Sequence, residues 1–196
     1  QSRAIEDILS DMARPSPMFR LLQGDVGCGK TLVALHAVVV AADNGSQTAF
    51  MAPTEILAEQ HFATLHAALA PLGVEVALLT GSTPRADRVR EAIACGDIQV
   101  VVGTQALYQE QTIFHRLGLI IIDEQHRFGV RQRDEMARKG TRPDILHATA
   151  TPIPRTLAIT LYGAMDITVI PDMPPGRAPV KTAFVPEARR DDLYGY

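Results

Sequence analysis

Glycines, a lysine and a threonine occur close together at a spacing that suits phosphate binding. The segment GDVGCGKT, residues 24–31, fits the pattern GxxxxGK[ST] between a strand-like LLQ and the helical pattern TLVALHAVVV. Gly24, Gly27 and Gly29 would let the backbone curl so that its N–H groups face an anion at a helix N-terminus. Chance alone would produce this pattern in about one such chain per hundred. The segment therefore predicts a phosphate-binding loop.

The other side chains of this loop indicate a nucleoside triphosphate with magnesium. Lys30 would reach the β and γ phosphates, and the Thr31 hydroxyl would ligate Mg²⁺. Asp25, Val26 and Cys28 would contribute to the same phosphate cradle. We interpret Cys28 as a tolerated small side chain, with a redox switch as the alternative. The predicted ligands are ATP and Mg²⁺.

A second candidate site is DEQH, residues 123–126, which follows the apolar run LGLIII. Acidic residues at the carboxyl end of a parallel strand face the ligand crevice. Asp123 would hold the magnesium, usually through water, and Glu124 would polarise the attacking water. An acidic pair after a strand is by itself more often a helix cap, but the upstream phosphate-binding loop favours the functional interpretation. Lys30, Asp123 and Glu124 are the predicted catalytic residues.

A third candidate is TATPIPRT, residues 149–156, at the end of the strand-like DILHA. Threonines at a strand end are commonly turn formers. Here the run occupies the position at which a third crevice-facing loop would sense the γ-phosphate.

These segments must be positioned by a larger fold, and the apolar runs predict which one. Strand-like runs alternate with longer helical patterns, which is the rhythm of βαβ units. The runs show little alternation of apolar and polar residues, as expected when helices cover both faces of a parallel sheet. The runs are FRLLQG, QTAFMAP, VEVALLTG, IQVVVGT, LGLIIIDE, DILHATAT and ITVIP. We predict a doubly wound α/β domain with a mostly parallel sheet.

Length and composition narrow the class of protein. A chain of 196 residues suits one domain, and 46% hydrophobic with 21% charged residues is ordinary for a globular protein. The start lacks the pattern of a signal peptide, so a cytoplasmic, nucleoid-associated location is expected. A net charge of −3 is unlike a self-sufficient DNA-binding module. If DNA is a partner, other parts must help to hold it.

The cysteines and histidines do not suggest a zinc site or a disulfide. Cys28 and Cys95 are far apart and belong to no CxxC pair. The histidines considered as ligands lack metal-ligand spacing, so packing or solvent exposure is expected of them. These are His61, His66, His115 and His147.

The motifs together resemble a known superfamily. GDVGCGKT, APTEILAEQH, VVGTQAL, DEQHRFGV and TATPIPRT are similar, in order, to motifs I, Ia, Ic, II and III of superfamily 2 helicases. DEQHRFGV, TATPIPRTLA and the later PPGRAPV closely resemble the RecG family of bacterial branched-DNA translocases. The transcription-repair coupling factor, Mfd, is a close alternative in which DEEH is expected, and Gln125 favours RecG. The resemblance implies a RecA-like motor lobe.

This resemblance assigns further residues. Gln125 and His126 would link the nucleotide state to a partner lobe, and Thr149 and Thr151 would link ATP to DNA. Gln1 would belong to an adenine-reading glutamine motif. Contacts to DNA, mostly to backbone phosphate, would come from crevice-side loop ends, although each of these is also an ordinary turn or helix cap. They are Pro53, Thr54, Gly81, Ser82, Gly103, Thr104 and Gln105.

The resemblance also implies an organisation and a function. Residues 1–172 would form the first RecA-like lobe, and residues 173–196 a linker or the start of a second lobe. The expected partners are forked or branched duplex DNA, a second RecA-like lobe and an N-terminal wedge domain. No GRxGR-like motif follows Thr156, so the usual arginine finger would come from the second lobe and this chain alone would hydrolyse ATP poorly.

The implied activity is ATP-dependent remodelling of branched DNA, such as stalled forks and Holliday junctions, in recombination and repair. A nucleotide-dependent switch without motor work remains an alternative, which the phosphate-binding loop alone does not exclude. A kinase is disfavoured because a glutamate beside Asp123 suits water activation.

Overall fold

The computed structural model describes residues 1–124, 130–151, 165–171 and Glu187. Within them the strands form one sheet, and every neighbouring pair is parallel. The strands are β1 (Phe19–Gly24), β2 (Gln47–Met51), β3 (Val76–Leu79), β4 (Val100–Gly103), β5 (Leu117–Asp123), β6 (Asp144–Thr149) and β7 (Asp166–Ile170). Their order in the sheet is β3-β4-β2-β5-β6-β1-β7. All the predicted strand-like runs are therefore strands of this sheet.

Helices connect the strands, and several begin or end at residues with clear local reasons. The α-helices are α1 (Ser2–Met12), α2 (Lys30–Asp43), α3 (Glu55–Leu69), α4 (Ala86–Cys95) and α5 (Val130–Ala137). Short 3₁₀ helices span Ala70–Leu72 and Gln105–Leu107. The Thr54 hydroxyl caps α3 by accepting a hydrogen bond from the N–H of Leu57 at 3.3 Å. None of the helices among the described residues is long and apolar enough to span a membrane.

Side chains on the two faces of the sheet belong to two separate cores. Leu119 and Ile121 of β5 pack in the cluster that contains buried residues of α1, α2 and α3. Ile120 and Ile122 of the same strand pack in the cluster that contains Ile93 of α4 and buried residues near α5. Successive strand residues point to opposite faces, so a strand covered on both sides must be apolar throughout. The predicted doubly wound α/β fold is confirmed.

Helix α1 was not among the predicted elements, and a buried ion pair holds it against the sheet. Arg20 of β1 donates from Nε to Oδ2 of Asp11 at 2.6 Å and from Nη1 to Oγ1 of Thr168 in β7 at 2.6 Å. Thr168 in turn donates to Oδ2 of Asp7 at 2.8 Å. The first helix, the first strand and the last described strand are thus joined by one polar network.

The predicted division into a lobe of residues 1–172 and a linker of residues 173–196 stays a prediction. Apart from Glu187, the second of these ranges lies outside the described residues.

Candidate functional site

The predicted site residues follow strands whose carboxyl ends lie at the same edge of the sheet. Gln23 of β1 is in register with Thr149 of β6, and Asp123 of β5 is in register with Ala148 of β6. The acidic pair, the threonine-containing loop and the phosphate-binding loop therefore follow β5, β6 and β1, which are neighbours in the sheet. This edge of an open α/β sheet is where ligands bind.

The backbone of the phosphate-binding loop needs glycine for two different reasons. Gly29 has a φ of 92° and lies directly before α2, a conformation that side chains rarely tolerate. Gly24 instead has a crowded environment, because a Cβ there would lie 2.5 Å from Sγ of Cys28. Close approach of Cys28 and Ile170 thus favours glycine at Gly24, whereas Gly27 and Gly29 have the positive φ values that a curled loop needs. The result is a backbone loop leading into a helix N-terminus, where anions bind.

The ammonium of Lys30 is held inside this loop. Its Nζ donates hydrogen bonds to the carbonyl oxygens of Gly24 at 2.8 Å and Asp25 at 3.0 Å. The loop is tightened by the carboxylate of Asp25, which accepts from the N–H of Val26 at 2.8 Å. A cation is therefore positioned beside the N–H groups that would face phosphate.

The acidic pair occupies the end of β5, and its second member has an unusual backbone. Glu124 has a φ of 50°, and its N–H donates to the carbonyl of Ala148 at 2.9 Å. Its Oε1 accepts a hydrogen bond from the N–H of Ala150 at 3.3 Å. A non-glycine residue in this conformation costs on the order of 1–3 kcal/mol and occurs mostly at functional sites. These bonds connect Glu124 to the threonine-containing loop.

Asp123 contacts a residue for which the sequence predicted only packing or exposure. Nε2 of His61 lies 2.9 Å from Oδ2 of Asp123, and the two side chains are 14% and 15% exposed. The His61 ring also packs on Phe50, with ring centroids 4.6 Å apart. The helical spacing could have suggested this position near the site. His61 lies seven residues after Thr54, the cap of α3, and residues at that spacing share one face of a helix.

The candidate catalytic residues line one cleft of about 280 Å³. Its walls include Lys30, Thr31, Asp123 and Glu124, with Phe50 and Ala34 beneath them. Carboxylate and hydroxyl oxygens are the ligand types that Mg²⁺ prefers. Asp123 and Thr31, which both line this cleft, therefore fit the predicted magnesium ligands.

Gln1 lies against the same loop. Its Nε2 donates to the carbonyl of Cys28 at 2.8 Å. The predicted reading of adenine by Gln1 stays a prediction, but the structure places the amide within reach of the nucleotide loop. Cys28 itself is buried, which suits its interpretation as a small packing residue.

The predicted coupling residues are described in part. Thr149 ends β6 and is almost wholly buried, and its Oγ1 accepts a hydrogen bond from the N–H of Thr151 at 3.1 Å. This bond shapes the turn that follows β6, beside Glu124. Gln125 and His126 lie outside the described residues.

Candidate DNA-binding residues surround a second cleft, of about 310 Å³, at the same edge of the sheet. Pro53, Thr54, Thr104 and Gln105 line it together. Gly103 precedes this loop, and its carbonyl accepts from the N–H of Ala52 at 2.8 Å.

Glu55 connects this second cleft to the remaining predicted contacts. Its Oε2 accepts from the Ser82 hydroxyl at 2.7 Å, and its Oε1 lies next to Gly81. Among the described residues that line the cleft, Glu55 is charged and none is a lysine or arginine. The expectation that other parts must help to hold DNA stays a prediction.

Two residues of the second cleft were not predicted. Tyr108 and Gln132 also line it, and Nε2 of Gln132 donates to the Tyr108 hydroxyl at 2.9 Å. Burial and the nearby Glu135 carboxylate raise the pKa of Tyr108 above its usual range. Gln132 is brought here by α5, the helix that follows the acidic motif.

Comparison with known proteins identifies the family. Residues 1–159 match the DEAD/DEAH box helicase family. The chain belongs to this family. The confirmed fold agrees with a DEAD/DEAH box helicase.

Among members of this family, the resemblance to RecG is confirmed. The chain is 54% identical to the ATP-dependent DNA helicase RecG of Acidithiobacillus ferridurans. The alignment covers 100% of this chain and 29% of that relative. The chain is also 52% identical to RecG of Escherichia coli K12, over 98% of this chain and 29% of the relative. The chain thus spans less than a third of the length of these curated relatives.

Solved structures agree. The structure of RecG bound to a three-way DNA junction matches 99% of this chain and 26% of that one, with a TM-score of 0.83 and 44% identity. The helicase MrfA matches 87% of this chain and 29% of that one, with a TM-score of 0.65 and 21% identity. The second likeness supports the fold alone.

Proposed function

We propose that this chain is the ATP-binding motor lobe of a DNA helicase or translocase that remodels branched DNA, such as stalled forks and Holliday junctions, in recombination and repair. One observation carries the proposal. Lys30, Asp123 and Glu124 line one cleft, and Thr54 and Gln105 line a second cleft at the same sheet edge. A nucleotide site and a nucleic-acid track would then be adjacent, as a motor requires.

Each side chain in the nucleotide cleft has a distinct task. Lys30 and the loop N–H groups would hold the β and γ phosphates of ATP. Glu124, fixed by the N–H of Ala150, would orient the attacking water. Mg²⁺, held by Thr31 and Asp123, would neutralise phosphate charge. Positioning and electrostatic stabilisation supply most of the catalysis in such reactions.

The substrate class rests on the relatives. RecG has been solved with a three-way DNA junction, and its likeness to this chain covers nearly every residue. The second cleft of this chain carries hydroxyl, amide and backbone groups, which suit contacts to backbone phosphate with little sequence preference.

The relatives are more than three times as long as this chain. We therefore propose that the full-length protein also contains a second RecA-like lobe and a wedge domain. An arginine finger from the second lobe would be worth about 1000-fold or more in rate. The chain by itself should bind ATP and hydrolyse it poorly.

The test measures binding of a fluorescent ATP analogue and steady-state ATP hydrolysis by this chain, with and without forked DNA. Lys30→Ala serves as the blank. We expect binding that Lys30→Ala abolishes, and hydrolysis close to the blank under both conditions. Hydrolysis at the rate of a whole motor would contradict the half-motor proposal, and absence of Lys30-dependent binding would contradict the nucleotide site itself.

A further inference from the structure

His61 of α3 contacts the carboxylate of Asp123, the candidate magnesium ligand at the end of β5. Its Nε2 lies 2.9 Å from Oδ2 of Asp123. Within the described residues, this is the side-chain hydrogen bond that Asp123 makes. A carboxylate oxygen can only accept, so Nε2 carries the proton and donates. The bond therefore needs a proton on Nε2, and it orients the carboxylate.

The fold holds the His61 ring on a second side. Phe50, in β2, packs on the ring with centroids 4.6 Å apart, and β2 lies next to β5 in the sheet. Phe50 also lines the nucleotide cleft together with Asp123. The imidazole is thus positioned by packing and directs its N–H at a residue of the candidate active site.

Two other histidines of this chain also pack on aromatic rings. His147 is buried and packs edge-on against Phe19. His66, on the same helix as His61, is exposed and packs on Phe62. His61 also packs on an aromatic ring, and in addition its Nε2 contacts the carboxylate at the end of β5. Carboxylates that hold metals are usually oriented by such hydrogen bonds.

Helix α3 adds a physical connection between the two clefts. Thr54, its cap, lines the second cleft, and His61 lies two helical turns further on, about 10 Å along the axis. A helix of this length is stiff, so Asp123 is held relative to the loop that carries Thr54.

We infer that His61 is a positioning residue that holds the Asp123 carboxylate in the orientation in which it binds magnesium with ATP. The inference rests on the proposed function, because it concerns the same nucleotide site. It assigns the ring a task that packing alone would not require.

The test titrates Mg²⁺ into this chain bound to a fluorescent ATP analogue. The variants are His61→Phe, which keeps a ring on Phe50 but removes the donor, and His61→Gln, which keeps a donor. His66→Ala is the matched control on the same helix. Affinity for the analogue in EDTA and the thermal midpoint are measured for every variant.

We expect His61→Phe to raise the half-saturating Mg²⁺ concentration about 10- to 100-fold. His61→Gln should restore most of the loss, and His66→Ala should behave as the unmodified chain. Affinity in EDTA should be the same for all.

A His61→Phe variant that is folded and titrates like the unmodified chain would overturn the inference while leaving the proposed function intact. Equal loss of affinity with and without Mg²⁺ would also overturn it, because that result indicates a general structural defect. If His61→Phe fails to fold, His61→Leu takes its place with the same expected rise in the half-saturating Mg²⁺ concentration, and a folded His61→Leu that titrates like the unmodified chain would overturn the inference. An unmodified chain that shows no Lys30-dependent binding would overturn both proposals.

Discussion

Nε of Arg20 lies 2.6 Å from Oδ2 of Asp11, and the two side chains are 9% and 3% exposed. This pair joins α1 to β1, the strand that leads into the phosphate-binding loop. Gln1, at the other end of α1, donates to the carbonyl of Cys28 in that loop. The buried pair therefore helps to place the first helix beside the candidate nucleotide site.

Removing one partner of this pair should lower the free energy of unfolding. Asp11→Ala removes the carboxylate that accepts from Nε of Arg20, while Asp7 and Asp166 stay 4.0 and 3.8 Å from the guanidinium. We therefore expect the free energy of unfolding to fall by about 1.5–3 kcal/mol, the range for a hydrogen bond to a charged group. Chemical denaturation measures the loss. Arg14 also lies 2.9 Å from Asp11, but it is 55% exposed and lacks hydrogen-bond geometry. Arg14→Ala should therefore cost less than about 1 kcal/mol, and equal losses for the two variants would refute this account.

Glu124→Gln should separate hydrolysis from nucleotide binding. The amide oxygen can still accept from the N–H of Ala150, whereas the charge that we propose orients the attacking water is lost. In a full-length protein carrying this chain, we expect the ATPase kcat to fall about 100- to 10,000-fold with little change in KM. Glu59→Gln, an exposed change on α3, is the control. A Glu124→Gln enzyme with normal kcat would rule out the assigned task.

Gln105→Glu should weaken DNA binding by placing a second carboxylate in the cleft that already holds Glu55. Repulsion acts on backbone phosphate, so we expect about a several-fold loss of affinity that is the same for different DNA sequences and shrinks at high salt. Binding of the full-length protein to labelled forks of two sequences measures it. Asn44→Asp makes the same change in charge at the opposite edge of the sheet, and a loss of equal size there would argue for net charge instead.

Asp144→Asn should stabilise the chain in a pH-dependent way. Burial, and to a lesser extent the Asp11 carboxylate, raise the pKa of Asp144, while the hydrogen bond from the Met18 N–H at 2.6 Å opposes the shift. A carboxyl whose pKa is raised in the folded state stabilises the fold at pH values below its ordinary pKa of 3.8. This stabilisation is lost as the pH rises through the folded-state pKa. The neutral amide avoids this loss and can still accept from Met18.

The Asp144→Asn variant should therefore melt above the unmodified chain at pH 7, and the difference should vanish well below the ordinary pKa. About 1 kcal/mol corresponds to roughly 2–4 °C in a chain of this size, so a shift of a few degrees is expected. Thermal melts across this range provide the measurement. Asp97→Asn, at an exposed position, should show no such trend, and a constant difference for Asp144→Asn at every pH would contradict the explanation.

Much of the candidate site's layout could be predicted because it depends on residues that are close together in the sequence. The spacing from Gly24 to Thr31 encodes a loop and a helix start within a few residues, and these are where the structure has them. Asp123 and Glu124 were placed correctly at a strand end because the apolar run before them reads as a buried strand. The doubly wound fold followed from apolar strands between helices, since burial on both faces leaves little choice of residue.

The tertiary structure decided which distant segments meet. The strand order brings β2 beside β5, so the helix after β2 can place His61 on Asp123, 62 residues away. The positive φ of Glu124 and the meeting of Tyr108 with Gln132 depend on the same packing. Local patterns specify what each segment is, because propensity and burial act over neighbouring residues. They do not specify which strands become neighbours, because pairing is set by how the whole core packs.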